Sequence, residues 1–264
     1  MCIRDRSPIR ARTYISLDVF KGLYDYFKFR HSDVINSIEF VDAFVYPSYY
    51  SYTLHIETYP EIKEKINKVI YNPVLIPRLD EMNRTTTEHI IIYPSLSNEM
   101  KGYHILLRAL PLLDRIISEK TKVVLVGLKD RLEYVKRFLH VIRKLEVVIT
   151  DRLPRQTLLK TIASANLVVT PFVIPDPAPR VVVEALKLGT PVISSNIGGA
   201  REFLSLVGLE MLMTRPNDHL ELALKIFHAL NMPFDSKIII QRTEEIFNSV
   251  RFRRSFIKLV DSVV

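Results

Sequence analysis

Apolar and polar positions follow two rhythms along this chain, and from residue 88 onward the two alternate. Short apolar runs at 89–93, 122–126, 146–150, 166–170, 191–195 and 209–213 read as buried strands. Between them, apolar residues recur at three- and four-residue spacing over 102–118, 131–143, 154–163, 180–188 and 216–230. In the first of these segments Leu106, Ala109, Leu110, Leu113 and Ile117 fall on one helical face. Such alternation predicts an α/β fold, a parallel sheet with helices on both faces. Two more helical stretches, 236–247 and 249–260, close the chain.

Upstream of 88 the pattern is less regular. It predicts an amphipathic helix over 17–29, a short strand within 39–47, and a helix capped by Ser48 that runs to 58. A strand over 68–71 and a turn at Asn72-Pro73 follow. Residues 76–87, with three consecutive threonines and no apolar period, read as a linker. The chain therefore divides into 7–75, a linker at 76–87, a sheet domain at 88–235 and terminal helices at 236–264.

The densest chemistry lies in 171–202, PFVIPDPAPRVVVEALKLGTPVISSNIGGARE. A strand leads through a proline-rich loop into a helix opened by Pro179 and Arg180. A second strand leads into Gly198 and Gly199 at the start of another helix. Two successive strand–loop–helix units place helix N-termini and free amides beside a phosphate. Arg180 and Lys187 add positive charge. Asp176 and Glu184, eight positions apart, would repel a phosphate alone but suit a ligand that also carries hydroxyls, which carboxylates accept strongly. Neither GxGxxG nor GxxxxGK[ST] occurs.

Charge changes the picture modestly. There are 37 Lys+Arg against 29 Asp+Glu, a net of +8, which favours an anionic partner. The basic residues are scattered, apart from Arg251, Arg253 and Arg254, which suits a nucleotide or an acidic lipid surface better than nucleic acid. Cys2 is the single cysteine, so a disulfide within the chain and a thiolate metal site are excluded. The seven histidines lack metal-ligand spacing. No apolar run reaches the roughly 18–20 residues of a membrane helix.

The block from Asp176 to Glu202 resembles the donor-binding signature of family 4 retaining glycosyltransferases of the GT-B fold, the glycosyl transferases group 1 domain. That signature is two glutamates separated by seven residues, in a string such as EPFGRVVVEAMALGTPVIATNVGGPRE. Here Asp176 and Glu184 stand at the acids, and Ala185, Gly189, Thr190, Pro191, Val192, Gly198, Gly199 and Glu202 match downstream. Asp42, Pro47, Ser48, Lys65, Ile70, Tyr71, Asn72 and Pro73 are similar to the end of the family's first domain.

The resemblance implies a Rossmann-like donor domain preceded by the tail of a second Rossmann-like acceptor domain, with terminal helices crossing back to it. It implies hexosyl transfer from a nucleotide-sugar to a glycan or lipid-linked acceptor, with retention. No metal and no further cofactor are expected. It also implies a cytoplasmic protein able to sit at the inner face of the cell membrane. By residue, Asp176 and Glu184 would be the catalytic-site acids, Asp176 toward the sugar and Glu184 toward the ribose. Lys101, Arg180, Gly198 and Gly199 would hold the diphosphate. Gly127, Arg152 and Leu153 would lie at the nucleotide.

Three departures keep other readings open. Ser95 or Leu96 stands where the family carries an arginine before Lys101, Asp176 replaces a glutamate, and Pro179 replaces a glycine. A degenerate nucleotide-sugar-binding module and a GT-B sugar-nucleotide epimerase are the alternatives. Residues 1–6, MCIRDR, resemble translated sequencing adapter and are expected to make no sheet contact. On that reading the chain is the C-terminal part of a longer protein, inactive alone, with apolar surface exposed around Phe44, Tyr46, Tyr49 and Tyr50.

Overall fold

The computed structural model describes residues 2–3, 36–77, 88–95 and 97–263. The helix expected over 17–29 and most of the expected linker lie outside them. The chain forms two compact units: 1–75 with 175–178 and 246–264, and 76–174 with 179–245.

The first unit holds a three-stranded sheet of β1 (Cys2–Ile3), β2 (Ala43–Tyr46) and β3 (Ile66–Val69), in that order. β2 and β3 run parallel, Ala43 opposite Ile66 and Tyr46 opposite Val69. Helix α1 (Tyr49–Thr58) starts at Ser48, whose Oγ accepts from the Ser51 N–H at 3.0 Å. The alternation of side chains along a strand gives β2 two buried faces. Tyr46 joins Ile38, Ile56 and Ile62 on one, while Ala43 and Val45 join Ile70 and Leu259 on the other. Leu259 belongs to the last helix, Ser249–Asp261, whose Phe252, Phe256 and Val260 pack on the same cluster. Burying a side chain such as Leu259 contributes about 1.5–3 kcal/mol.

Two expectations for this unit are corrected. Cys2 and Ile3 do pair, antiparallel to Phe44 and Ala43. An open strand edge presents unpaired N–H and C=O groups to any extended neighbour, so two residues of ladder form whatever the origin of 1–6. The exposed aromatic surface is also smaller than expected. Tyr49 is 58% exposed but Tyr46 only 4%, because β2 turns it into the cluster beside α1.

The second unit is a six-stranded parallel sheet. Its strands are β4 (His89–Tyr93), β5 (Thr121–Val126), β6 (Leu145–Thr150), β7 (Leu167–Thr170), β8 (Val192–Ser195) and β9 (Met213–Thr214), arranged β6-β5-β4-β7-β8-β9. Its helices are α2 (Tyr103–Ile116), α3 (Leu132–Leu139), α4 (Arg155–Ser164), α5 (Arg180–Lys187), α6 (Gly198–Leu206), α7 (His219–Leu230) and α8 (Ser236–Ile246); Ser249–Asp261 of the first unit is α9. The α/β class and parallel sheet follow the predicted alternation. β7 is buried along its whole length, as a strand covered on both faces must be.

The last strand differs. Residues 210–212 form a 3-10 turn, and pairing with β8 starts only at Met213. The mostly apolar stretch 209–213, interrupted by Glu210, reads as all strand, although periodicity cannot separate a short strand from one buried turn.

Buried Asp114 ties α2 to the start of β6. Its carboxylate accepts from the backbone N–H of Arg143, Lys144 and Leu145 at 3.0, 2.7 and 2.9 Å. Burial pushes its pKa up, but these bonds and the Lys144 charge outweigh burial and hold it below the ordinary value.

Candidate functional site

In sequence order the second unit's strands run 3-2-1-4-5-6, so the winding reverses between β4 and β7. The crevice beyond the strand ends at such a reversal is where open α/β sheets bind ligands. The chain makes it from the loop after β4 and the start of the loop after β7. Asn98 opens a 3-10 turn, Glu99–Lys101, by accepting from the Met100 N–H at 2.9 Å. Gly102 ends that turn at φ +76 and begins α2. The Val173 N–H donates to the Met100 carbonyl at 3.0 Å, joining the loops. A Cβ on Gly102 would stand 1.8 Å from the Pro171 carbonyl oxygen, so only glycine permits this approach. Lys101, half-buried, places its ammonium 5.0 Å from the centre of the Phe172 ring.

Helix starts give the second feature. α2, α3, α4, α5 and α6 all begin without a side-chain cap. By contrast Ser48, Asp218 and Asn248 cap α1, α7 and α9. Open N–H groups and the positive end of the macrodipole make such starts attractive to anions. Gly198 and Gly199, both buried, lie at the start of α6. Pro179 immediately precedes α5, one position earlier than a first-turn proline.

Glu184 is the third feature. It lies in the second turn of α5 and is only 5% exposed. Its Oε1 accepts from Arg155 Nη1 at 2.6 Å and lies 3.6 Å from Arg180 Nη2. Among the described residues Oε2 has no protein partner. Arg155, the first residue of α4, was missed in the sequence. The readable signal was a cation opening a helix against the macrodipole, a placement that calls for a partner. Lys187 is corrected in the opposite sense. Its side chain is 5% exposed and pairs with Glu244 at 2.8 Å, so it does not serve the anion-binding edge. Seven residues of helix carry it about 10 Å from the start of α5.

The remaining predicted residues divide. Gly127 ends β5 at φ +75, its N–H donating to the Thr150 carbonyl at 3.0 Å. Arg152 is exposed and Leu153 half-buried in the loop after β6, beside Asp151, which pairs with Lys129 at 2.8 Å. Asp176 falls in the segment grouped with the first unit. Its Oδ1 accepts from the Ala178 N–H at 3.1 Å, shaping a local turn. Ser95 bonds the fully buried Tyr93, whose hydroxyl burial pushes well above the ordinary tyrosine range. A groove of about 360 Å³ beside α7 is lined by Met211, Leu224, His228 and Met232 and contains none of the predicted site residues. Among the described residues no cluster of His, Cys, Asp or Glu could hold a metal ion. Nor is any described helix long and apolar enough to cross a membrane.

The fold and these strand-end loops define a doubly wound α/β domain. The sequence profile of the glycosyl transferases group 1 family matches residues 78–245, and the chain belongs to that family. An uncharacterized glycosyltransferase of Methanocaldococcus jannaschii is 32% identical over 119 residues, 44% of this chain and 30% of that protein. Sucrose-phosphate synthase of Thermosynechococcus elongatus superimposes with a TM-score of 0.71 at 20% identity, covering 95% of this chain and 66% of the synthase. HepE of Anabaena, solved with UDP and glucose, gives 0.68 at 19% identity, covering 93% of this chain and 70% of HepE. At these identities the structural likeness establishes the fold, which is GT-B. The match spans under a third of the curated relative and about two thirds of the synthase.

Proposed function

We infer that this chain supplies the donor-binding part of a family 4 glycosyltransferase that transfers a sugar from a nucleoside diphosphate sugar, with retention, to a glycan or lipid-linked acceptor. The observation that carries this reading is Glu184: a buried carboxylate with one oxygen free, on a helix whose start is uncapped. Ribose hydroxyls would donate to Glu184. The diphosphate would lie at the starts of α5 and α6, near Lys101 and Arg180. Negative charge grows on the diphosphate as the sugar–phosphate bond breaks, so fixed N–H groups and cations there stabilise the transition state most. Asp176 would face the sugar, and Gly127, Arg152 and Leu153 the base. A uracil nucleotide is supported by HepE and by the S. aureus protein TarM, both solved with UDP. The net charge of +8 and the exposed arginines of α9 support peripheral contact with acidic lipid at the inner membrane face.

One observation favours the binding-module alternative. Neither Ser95 nor Leu96, the two candidates for the family's arginine position, is cationic, and Ser95 bonds Tyr93, which leaves the diphosphate one cation short. Calorimetry of the full chain with uridine, UDP and UDP-glucose tests the donor assignment. Glu184→Ala should weaken all three by roughly 1.5–3 kcal/mol, the worth of a charge-assisted hydrogen bond. Lys101→Ala should weaken UDP and spare uridine. Asp176→Ala should affect UDP-glucose alone. Wild-type protein that binds none of the three at millimolar concentration refutes the reading.

A further inference from the structure

We propose that Arg155 is the positioning residue of the ribose subsite, pinning Glu184 by Oε1 so that Oε2 alone receives the ribose hydroxyls. The proposal rests on the donor-site reading above. It starts from a side chain that local stability does not explain, since a cation at the first position of α4 opposes the helix macrodipole. Its compensation comes from a carboxylate on another helix. Arg155 leaves the loop after β6 to reach Glu184 on the helix after β7, with Nη1 2.6 Å from Oε1.

Both nearby cations address the same oxygen. Arg180 also approaches Oε1, at 3.6 Å, and the described hydrogen bond to this carboxylate is made at Oε1. An ionised carboxylate offers about four acceptor positions. With Oε1 capped, Oε2 keeps two, enough for two adjacent hydroxyls. The terminal torsion of a glutamate is broad and roughly two-fold, so an unpinned Glu184 would turn and present its oxygens in several directions. A planar guanidinium fixes that plane in a way an ammonium does not.

The test is calorimetry on the full chain with UDP and 2′,3′-dideoxy-UDP, repeated with the ADP and GDP pairs. The variants are R155A, R155K, E184A and the R155A/E184A double mutant. Wild type should prefer the ribonucleotide by at least about tenfold, the scale of one charged hydrogen bond. R155A should lose about tenfold for the ribonucleotide and less than about twofold for the dideoxy form. R155A should add nothing once Glu184 is gone, because it works through that carboxylate. R155K should restore only part of the loss, and added methylguanidinium should restore R155A. Equal weakening of both nucleotides by R155A would make Arg155 a phosphate ligand and overturn the proposal. So would a full R155A effect in the E184A background, or no effect of R155A at all. Wild type that fails to distinguish the two nucleotides would instead remove Glu184 from the ribose. That failure is visible before any Arg155 variant is read.

Discussion

Replacing glycines 102, 189 and 208 by alanine separates backbone strain from steric overlap. All three lie at positive φ, +76, +70 and +75, so each alanine incurs about the same left-handed penalty of 1–2 kcal/mol. Alanine also stiffens the unfolded chain, which returns about 0.4–1 kcal/mol in each case. These shared effects cancel in comparison, leaving the contact each new Cβ would make. At Gly208 it would meet the tip of Arg242 at 2.5 Å, which can swing aside by giving up its 2.9 Å bond to the Val207 carbonyl. At Gly189 it would meet Ser236 Cβ at 2.8 Å and its carbonyl at 3.0 Å, so α8 must shift by a few tenths of an ångström. At Gly102 it would meet the Pro171 carbonyl oxygen at 1.8 Å, and backbone must move by more than 1 Å. Overpacking costs typically 1–3 kcal/mol. The expected losses are therefore about 3–5 kcal/mol for Gly102→Ala, about 2–3 for Gly189→Ala and about 1–2 for Gly208→Ala. The chain has no tryptophan, so urea unfolding is followed by far-UV circular dichroism. Hydrogen exchange at Val173, whose N–H bonds Met100, should accelerate in Gly102→Ala alone. Three equal losses, or an intact Val173 amide in Gly102→Ala, would show that the loops do not meet as described.

Two further predictions concern buried charge. Asp114→Asn sets an amide against one of three backbone donors and should cost about 1.5–3 kcal/mol near neutral pH. The native carboxyl titrates below its ordinary value, so its contribution is complete above about pH 4 and disappears as pH falls through the native pKa. Wild-type and mutant stabilities should converge in acid, and a constant gap would refute the assignment. Lys187→Ala should destabilise by about 1–2 kcal/mol, less than for a fully buried pair because Glu244 is half exposed. It should leave UDP affinity unchanged; a tenfold loss of UDP binding would return Lys187 to the anion site.

The fold was legible where periodicity and punctuation agreed. The stretch 89–93 matches β4 residue for residue, because Glu88 before it and Pro94 after it bracket an apolar centre and leave no competing reading. Ser48 was readable as a cap because a side-chain oxygen before a helix has one common use. The helix from Tyr103 runs through Pro111 despite the proline, since its apolar face is long enough to override one lost hydrogen bond. Less legible was what sequence leaves to the partner element. Nothing in AFVY tells that β2 is covered on both faces, because Leu259 and Phe256 arrive from more than two hundred residues away.

The same division explains the site. Glu184 was found because the residues that define it are contiguous: the loop, the helix start and the apolar neighbours lie in one block. Lys187, in the same block, was misread for the same reason, since proximity in sequence says nothing about which end of a helix a side chain serves. Its partner Glu244 lies on α8 and could be placed only in three dimensions. Arg155 shows the converse. It lies 29 positions from Glu184, outside the block 171–202, yet makes the shortest described contact to the buried carboxylate. A motif records the residues that one stretch of chain must supply. The residues that orient them come from wherever packing brings another element alongside, and here α4, which links β6 to β7 across the sheet, carries Arg155 to the Glu184 carboxylate on α5.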